Sequence, residues 1–276
     1  MKKESWFQNI SWIFLFFLIL NNFAFGQDST AFRLVQTIPI AAKQIFSDKL
    51  QQFYAIGNEN SFIKFSPDGV EVARFKENIL GTISSADLSD PFNILLYYHD
   101  FQIVIILDRN LTKINQFYLR SFDNVEPTAV GLSNDHNIWL FDQNDYKLKK
   151  IDYTGKVLFE SISFPQLLGK QEVANFILER ENTVFLNIPN LGIVLFDSFG
   201  QYLQTLDKKT EKSFQVIDNQ LFYLKNHQLF SLHLQRSQQK NIVLPSSDAE
   251  QEERYFTIQK NKIWRLTATK IEIFVW

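Results

Sequence analysis

Apolar residues fall in short runs along the chain, and turns rich in Asp, Asn, Ser and Gly cut one run from the next. Four segments share one form: residues 62–72, 104–114, 148–158 and 193–203. Each reads as an apolar strand, a turn opened by Asp or Ser, and a second strand. The Gly of Ser66-Pro67-Asp68-Gly69, Asp152-Tyr153-Thr154-Gly155 and Asp197-Ser198-Phe199-Gly200 supplies the left-handed backbone of a tight turn. Asn110 is expected to do so in the second copy. The turn openers Ser66, Asp108, Asp152 and Asp197 lie 42, 44 and 45 residues apart. Fainter copies place His233 36 residues further on and Val275 another 42 beyond it. Two earlier strands precede the shared pair in copies three to five, as in 128–132 and 137–142, 175–179 and 183–187, 214–217 and 220–224. Nowhere after the N-terminal segment does a long run with a 3.6-residue period appear.

Four strands per repeat of this length predict an all-β chain, a six-bladed β-propeller. The sixth copy ends at Trp276 after its third strand, and residues 32–38 form a strand with no blade of their own. The N-terminal strand is therefore expected to close the last blade, leaving no blade-sized edge open. A pair of β-sandwiches is the competing architecture, but it leaves the regular spacing unexplained. With closure, Leu34→Asp is expected to bury an unpaired charge and destabilise the whole ring.

Asn134-Asp135-His136-Asn137-Ile138-Trp139-Leu140-Phe141-Asp142, followed by the turn Ile151-Asp152-Tyr153-Thr154-Gly155, resembles an NHL-type propeller repeat. Residues 193–203 resemble its second half. The resemblance covers copies three and four clearly and one and two in part, with fewer glycines than such repeats carry. It implies a blade, and the motif is structural rather than functional.

The N-terminus reads differently. Lys2 and Lys3 precede an apolar run over 10–20, and Ala24-Phe25-Gly26 fits a small-x-small cleavage site. Residues 1–26 are thus expected to be a signal peptide, and 27–276 a single propeller domain. A membrane anchor is the alternative, but the run is about half of what a span needs. No later stretch is long and apolar enough to span a bilayer. Cleavage would take the formal charge from −2 to −3. That balance argues against a nucleic-acid partner, which calls for clustered cationic surplus. With no Cys in its 276 residues, the chain has no disulfide, thiolate metal site or lipidated cysteine. The bias to Phe, Ile, Asn and Lys resembles exported envelope proteins of the Bacteroidetes group. Freely secreted cargo of that group carries an extra C-terminal sorting domain. The end at Trp276 therefore points to the periplasm, with an extracellular location as the alternative.

Candidate chemistry is sparse. The longer connections, residues 76–91, 120–127, 164–173, 207–213 and 245–254, are expected to gather on one face and to carry function. Phe92, Phe122, Tyr255 and Phe256 are the candidate partner-binding aromatics there. Inner-strand carboxylates Asp87, Glu126, Glu172, Glu179 and Asp218 share no common repeat position. A hard cation needs six or more converging oxygens, so no metal and no cofactor is expected. His227 and His233, six apart on one strand, stand about 20 Å apart, too far to share a metal. His99 and His136 have no ligand-like spacing. The runs 147–150 and 208–212 are basic, and 248–253 is acidic. These are solvated faces or docking patches. The expectation is a non-catalytic periplasmic scaffold with an envelope protein partner, such as an outer-membrane secretion or assembly complex. The alternatives are a metal-dependent lactonase-like hydrolase and a glycan-binding propeller, the latter requiring an exposed aromatic platform.

Overall fold

The computed structural model describes residues 32–122, 125–210, 214–245 and 255–276. The expected signal peptide lies outside the described residues. Arg33–Val275 forms one compact unit; Phe32 and Trp276 belong to a second, where their rings meet edge to face at 5.6 Å.

Six four-stranded antiparallel sheets make up the propeller. Blade 1 is β2 (Ala42–Ser47), β3 (Phe53–Gly57), β4 (Ser61–Phe65) and β5 (Glu71–Lys76). Blade 2 is β6 (Ser85–Asp87), β7 (Ile94–Tyr98), β8 (Ile103–Leu107) and β9 (Lys113–Tyr118). Blade 3 is β10 (Pro127–Leu132), β11 (Ile138–Asp142), β12 (Lys147–Ile151) and β13 (Val157–Glu160). Blade 4 is β14 (Phe176–Arg180), β15 (Thr183–Ile188), β16 (Gly192–Asp197) and β17 (Tyr202–Leu206). Blade 5 is β18 (Gln215–Ile217), β19 (Gln220–Lys225), β20 (Gln228–His233) and β21 (Gln238–Ile242). Blade 6 is β22 (Tyr255–Gln259), β23 (Lys262–Leu266) and β24 (Ile271–Val275), completed by β1 (Arg33–Ile38).

Closure occurs as the repeat count requires. β1 pairs antiparallel with β24, Leu34 opposite Phe274 and Ile38 opposite Ile271, with a bulge between Leu34 and Gln36. The expectation for Leu34 changes, because this residue of the outer strand is 46% exposed. Ile38 is the β1 residue that packs onto the cluster shared by blades 6 and 1.

The repeated turn keeps one geometry at all four openers read from sequence. Asp108 Oδ1 accepts from the amides of Asn110 and Thr112, both at 2.8 Å. Asp152 does the same for Thr154 and Lys156, and Asp197 for Phe199 and Gln201. Ser66 Oγ accepts from Val70 N at 3.2 Å. The third residue after each opener is left-handed: Gly69 (φ 81°), Leu111 (φ 64°), Gly155 (φ 86°) and Gly200 (φ 80°). In the second copy that residue is Leu111, not Asn110. Leu111 is buried in the cluster between blades 1 and 2, and that burial offsets the steric cost of left-handed backbone at a branched residue.

Hydrophobic clusters lie between the sheets. They join blades 1 and 2, 2 and 3, 3 and 4, 4 and 5, and 6 and 1. The 76–91 stretch, read from sequence as a loop, contains the three-residue β6. The 164–173 stretch holds a short helix, Phe164–Leu168, which buries Phe164 between blades 3 and 4 and ends at left-handed Gly169.

Candidate protein-interaction surface

The four aromatics singled out from sequence do not meet. Phe92 is exposed in the β6–β7 connection, its amide bound to Asp90 Oδ1. That connection adjoins the end of blade 2 that carries the β8–β9 turn, since Ile94 pairs with Leu107. The 120–127, 207–213 and 245–254 connections run instead from an outer strand to the next blade. Phe122 is half-buried, and its ring lies so close over Gly155 that a Cβ there would overlap it. Tyr255 packs on the blade 6–1 cluster. Burial raises its phenol above the usual range, and a hydrogen bond with Gln44 pulls the other way. Phe256 is buried.

Two inner-strand carboxylates bind a neighbouring blade, Asp87 the following one and Glu179 the preceding one. Asp87 Oδ2 accepts from Leu132 N at 2.8 Å, and its Oδ1 from Ser89 N at 2.8 Å. Glu179, buried in β14, takes three donors on Oε2: Ser133 Oγ at 2.7 Å, Asn134 N at 3.2 Å and Trp139 Nε1 at 2.6 Å. Beside them Arg180 donates to the Glu179 carbonyl. Burial lowers its guanidinium pKa, and the charge of Asp87 opposes that shift. Glu126 and Asp218 are exposed elsewhere, and Glu172 accepts from Asn190. Among the described residues no group of three or more His, Cys, Asp or Glu is placed to hold a metal. Exposed His136 places Nδ1 3.7 Å from Oδ2 of half-buried Asp90.

A cluster of exposed aromatics lies on outer strands of blades 2 to 4 and the turns that reach over them. The β12–β13 and β16–β17 turns each reach over the outer strand of the preceding blade. Tyr153 stacks on Phe117 at 4.9 Å, and Phe199 meets Phe159 edge-on at 5.3 Å. Gly200 rests against the backbone of Glu160 and Ser161. Phe199 is 58% exposed, and Val157, Ile162, Tyr202 and Leu203 are exposed with it. Lys150 Nζ sits 5.6 Å over Phe159 and 4.9 Å over Trp139, and bonds Asp135 at 2.9 Å. Burial opposes ionisation of Asp135, yet hydrogen bonds from Lys150 and the Asn137 amide, with the charge of Lys150, hold its carboxyl down at about 2.

β17, Tyr-Leu-Gln-Thr-Leu, carries no charged residue. Every other outer strand has one: Arg33, Glu71, Lys113, Glu160 and Lys240 on β1, β5, β9, β13 and β21. Charge on an outer strand discourages pairing with another chain. The sequence holds this signal, since the fourth strand of each repeat has no further strand beyond it. One face of that strand packs toward the ring, as Leu206 does, and apolar residues on the other face, such as Tyr202 and Leu203, meet solvent.

No protein-family model and no curated protein matches the chain. Solved structures do. A streptogramin B lyase is 13% identical with a TM-score of 0.64, covering 90% of this chain and 99% of its own. BamB from Moraxella catarrhalis is 8% identical with a TM-score of 0.54, covering 90% and 98%. The Cps50 (Swd1) β-propeller domain of Myceliophteria thermophila is 9% identical with a TM-score of 0.60, covering 89% and 99%. At these identities the likeness carries architecture alone, and 1095 chains share it, so it selects no chemistry. What sequence repeat, sheet order and structural likeness establish together is a six-bladed β-propeller closed by its N-terminal strand.

Proposed function

We propose that this chain is a non-catalytic, exported scaffold. It holds an envelope protein partner in the periplasm, as an accessory subunit of an outer-membrane secretion or assembly complex. The observation that carries the reading is the uncharged outer strand β17 with exposed Phe199, Tyr202 and Leu203, continuous through Phe159 with blade 3. Exposed apolar surface of this kind marks interaction sites. Phe92 is a second contact candidate, while Phe122, Tyr255 and Phe256 serve packing. Export and the periplasm rest on the leader pattern of residues 1–26, and the NHL-type and Bacteroidetes-type likenesses belong to this proposal as well. The fit to a hydrolase is weaker, because Asp87 and Glu179 already accept hydrogen bonds from the neighbouring blade.

A native-level tagged pull-down from gently solubilised envelopes tests the reading, with wild type beside Phe199→Asp/Leu203→Asp. The expected result is a stoichiometric membrane-associated partner that the double variant loses while its melting temperature holds. A wild type without any partner, or a variant that keeps it, overturns the reading.

A further inference from the structure

A polar cleft of about 150 Å³ opens between the segment after β17 and the β19–β20 hairpin. Gly192 (φ 126°) sets one wall: a Cβ there would overlap the Leu206 carbonyl, so only glycine lets this segment pass. Lys208 N then donates to Leu206 O at 2.7 Å, a tight turn that puts Asp207 at its tip. The other wall is a two-residue hairpin turn with Asn226 and His227 both left-handed (φ 49° and 60°).

Gln239, an exposed residue of β21, also lines the cleft. Its Oε1 accepts from Lys208 Nζ at 2.8 Å and from Tyr223 Oη at 2.9 Å. Both carbonyl lone pairs are engaged, so what this amide has left to offer a ligand is its N–H groups. Lys208 and Lys225 add cationic donors. Asp207 is the one lining side chain that can only accept. A cleft with this surplus of donors suits a group that only accepts, such as a carboxylate. Its volume is below that of drug-sized pockets and fits a single side chain. Lys209 extends the positive charge beside it.

We propose that this cleft receives an acidic side chain of a partner polypeptide. The proposal rests on the scaffold reading and gives it a second, charge-selective contact. Asp207 limits the attraction, and Asp207→Asn should tighten binding.

The test is a titration of the isotope-labelled protein followed by NMR. The probes are acetylated, amidated penta-glutamate; the matching penta-glutamine; a neutral glycine peptide with a free C-terminal carboxylate; and acetate. Penta-glutamate is expected to give saturable shifts at the Gln239 side-chain amide and the Lys208 backbone amide, weakening as salt rises. Lys208→Gln and Gln239→Leu are expected to cost tenfold or more in affinity with the melting temperature unchanged. Several outcomes overturn the proposal: equal shifts from penta-glutamine, no shift from penta-glutamate, wild-type affinity in both variants, or tighter binding of the glycine peptide or acetate. The titration needs no natural partner, and the pull-down variants lie outside the cleft. The two failures are therefore separable.

Discussion

At the junction of blades 3 and 4 a buried carboxylate ties the sheets together; at the junction of blades 5 and 6 a neutral amide does. Glu179 reaches back from blade 4 to the Asn134 amide, Ser133 Oγ and Trp139 Nε1 of blade 3. Gln215 reaches forward from blade 5. Its Oε1 accepts from Ile258 N at 2.6 Å, and its Nε2 donates to Thr257 Oγ1 at 2.8 Å. Thr257 Oγ1 also meets Ser47 Oγ at 2.6 Å, so the relay runs through blades 5, 6 and 1. Both devices satisfy a backbone amide of the neighbouring blade. Their surroundings differ. Around Glu179 lies an apolar cluster with Trp139, Phe141, Phe164 and Phe196. No hydrophobic cluster among the described residues joins blades 5 and 6. A ring can therefore be closed by apolar packing with a charged pin, or by a neutral relay with less packing around it.

The two pins should differ in cost. Glu179→Ala leaves the Trp139 indole and the Ser133 hydroxyl without their acceptor in a buried site. It is expected to lower unfolding stability by about 3 kcal/mol, read by denaturant titration, with a red shift of Trp fluorescence. Gln215→Ala removes neutral bonds at a half-buried site and should cost about 1 kcal/mol. Equal losses would end the distinction between charged and neutral junctions. Hydrogen exchange sharpens it: amides of β18 and β22 are expected to exchange before those of β11 and β15.

A smaller effect follows from pH. The carboxyl of Asp135 is held at about 2 in the fold, below its ordinary unfolded value. A depressed carboxyl contributes stability above the unfolded value, and that contribution is lost as pH falls through the folded one. The loss is therefore expected between about pH 4 and pH 2. Asp135 is half exposed, so solvent screens the pair and the effect should be well under the shift's full equivalent. Lys150→Gln should flatten this part of the acid-stability curve. The smallest expected effect is at the closing strand. Leu34→Asp should change stability by less than about 0.5 kcal/mol, because Leu34 faces solvent. Ile38→Asp should cost more, because Ile38 packs inward.

Much of the fold was legible because blade architecture writes itself locally. A strand needs a run of apolar residues, and a tight turn needs a short acceptor such as Asp108, Asp152 or Asp197 two to four residues from the amides it caps. Counting the repeats was enough to require closure by residues 33–38. The candidate surface was less legible. Phe122 and Phe256 look like loop aromatics in sequence, but contacts with other parts of the ring bury them in part or wholly. Phe199 looks like a turn residue and is exposed on the rim.

By itself the sequence determined the strand repeat, the six blades, the closing strand and the turn chemistry, all of which depend on near neighbours and on a count. The tertiary structure decided what each polar and aromatic residue does. Asp87 meets Leu132 45 residues away, Glu179 meets Trp139 40 away, and Gln215 meets Ile258 43 away. Each separation is about one repeat, so the partner is set by how blades stack. Leu111 shows the same division. Its turn position is local, but a branched residue holds that backbone because packing between blades 1 and 2 buries it.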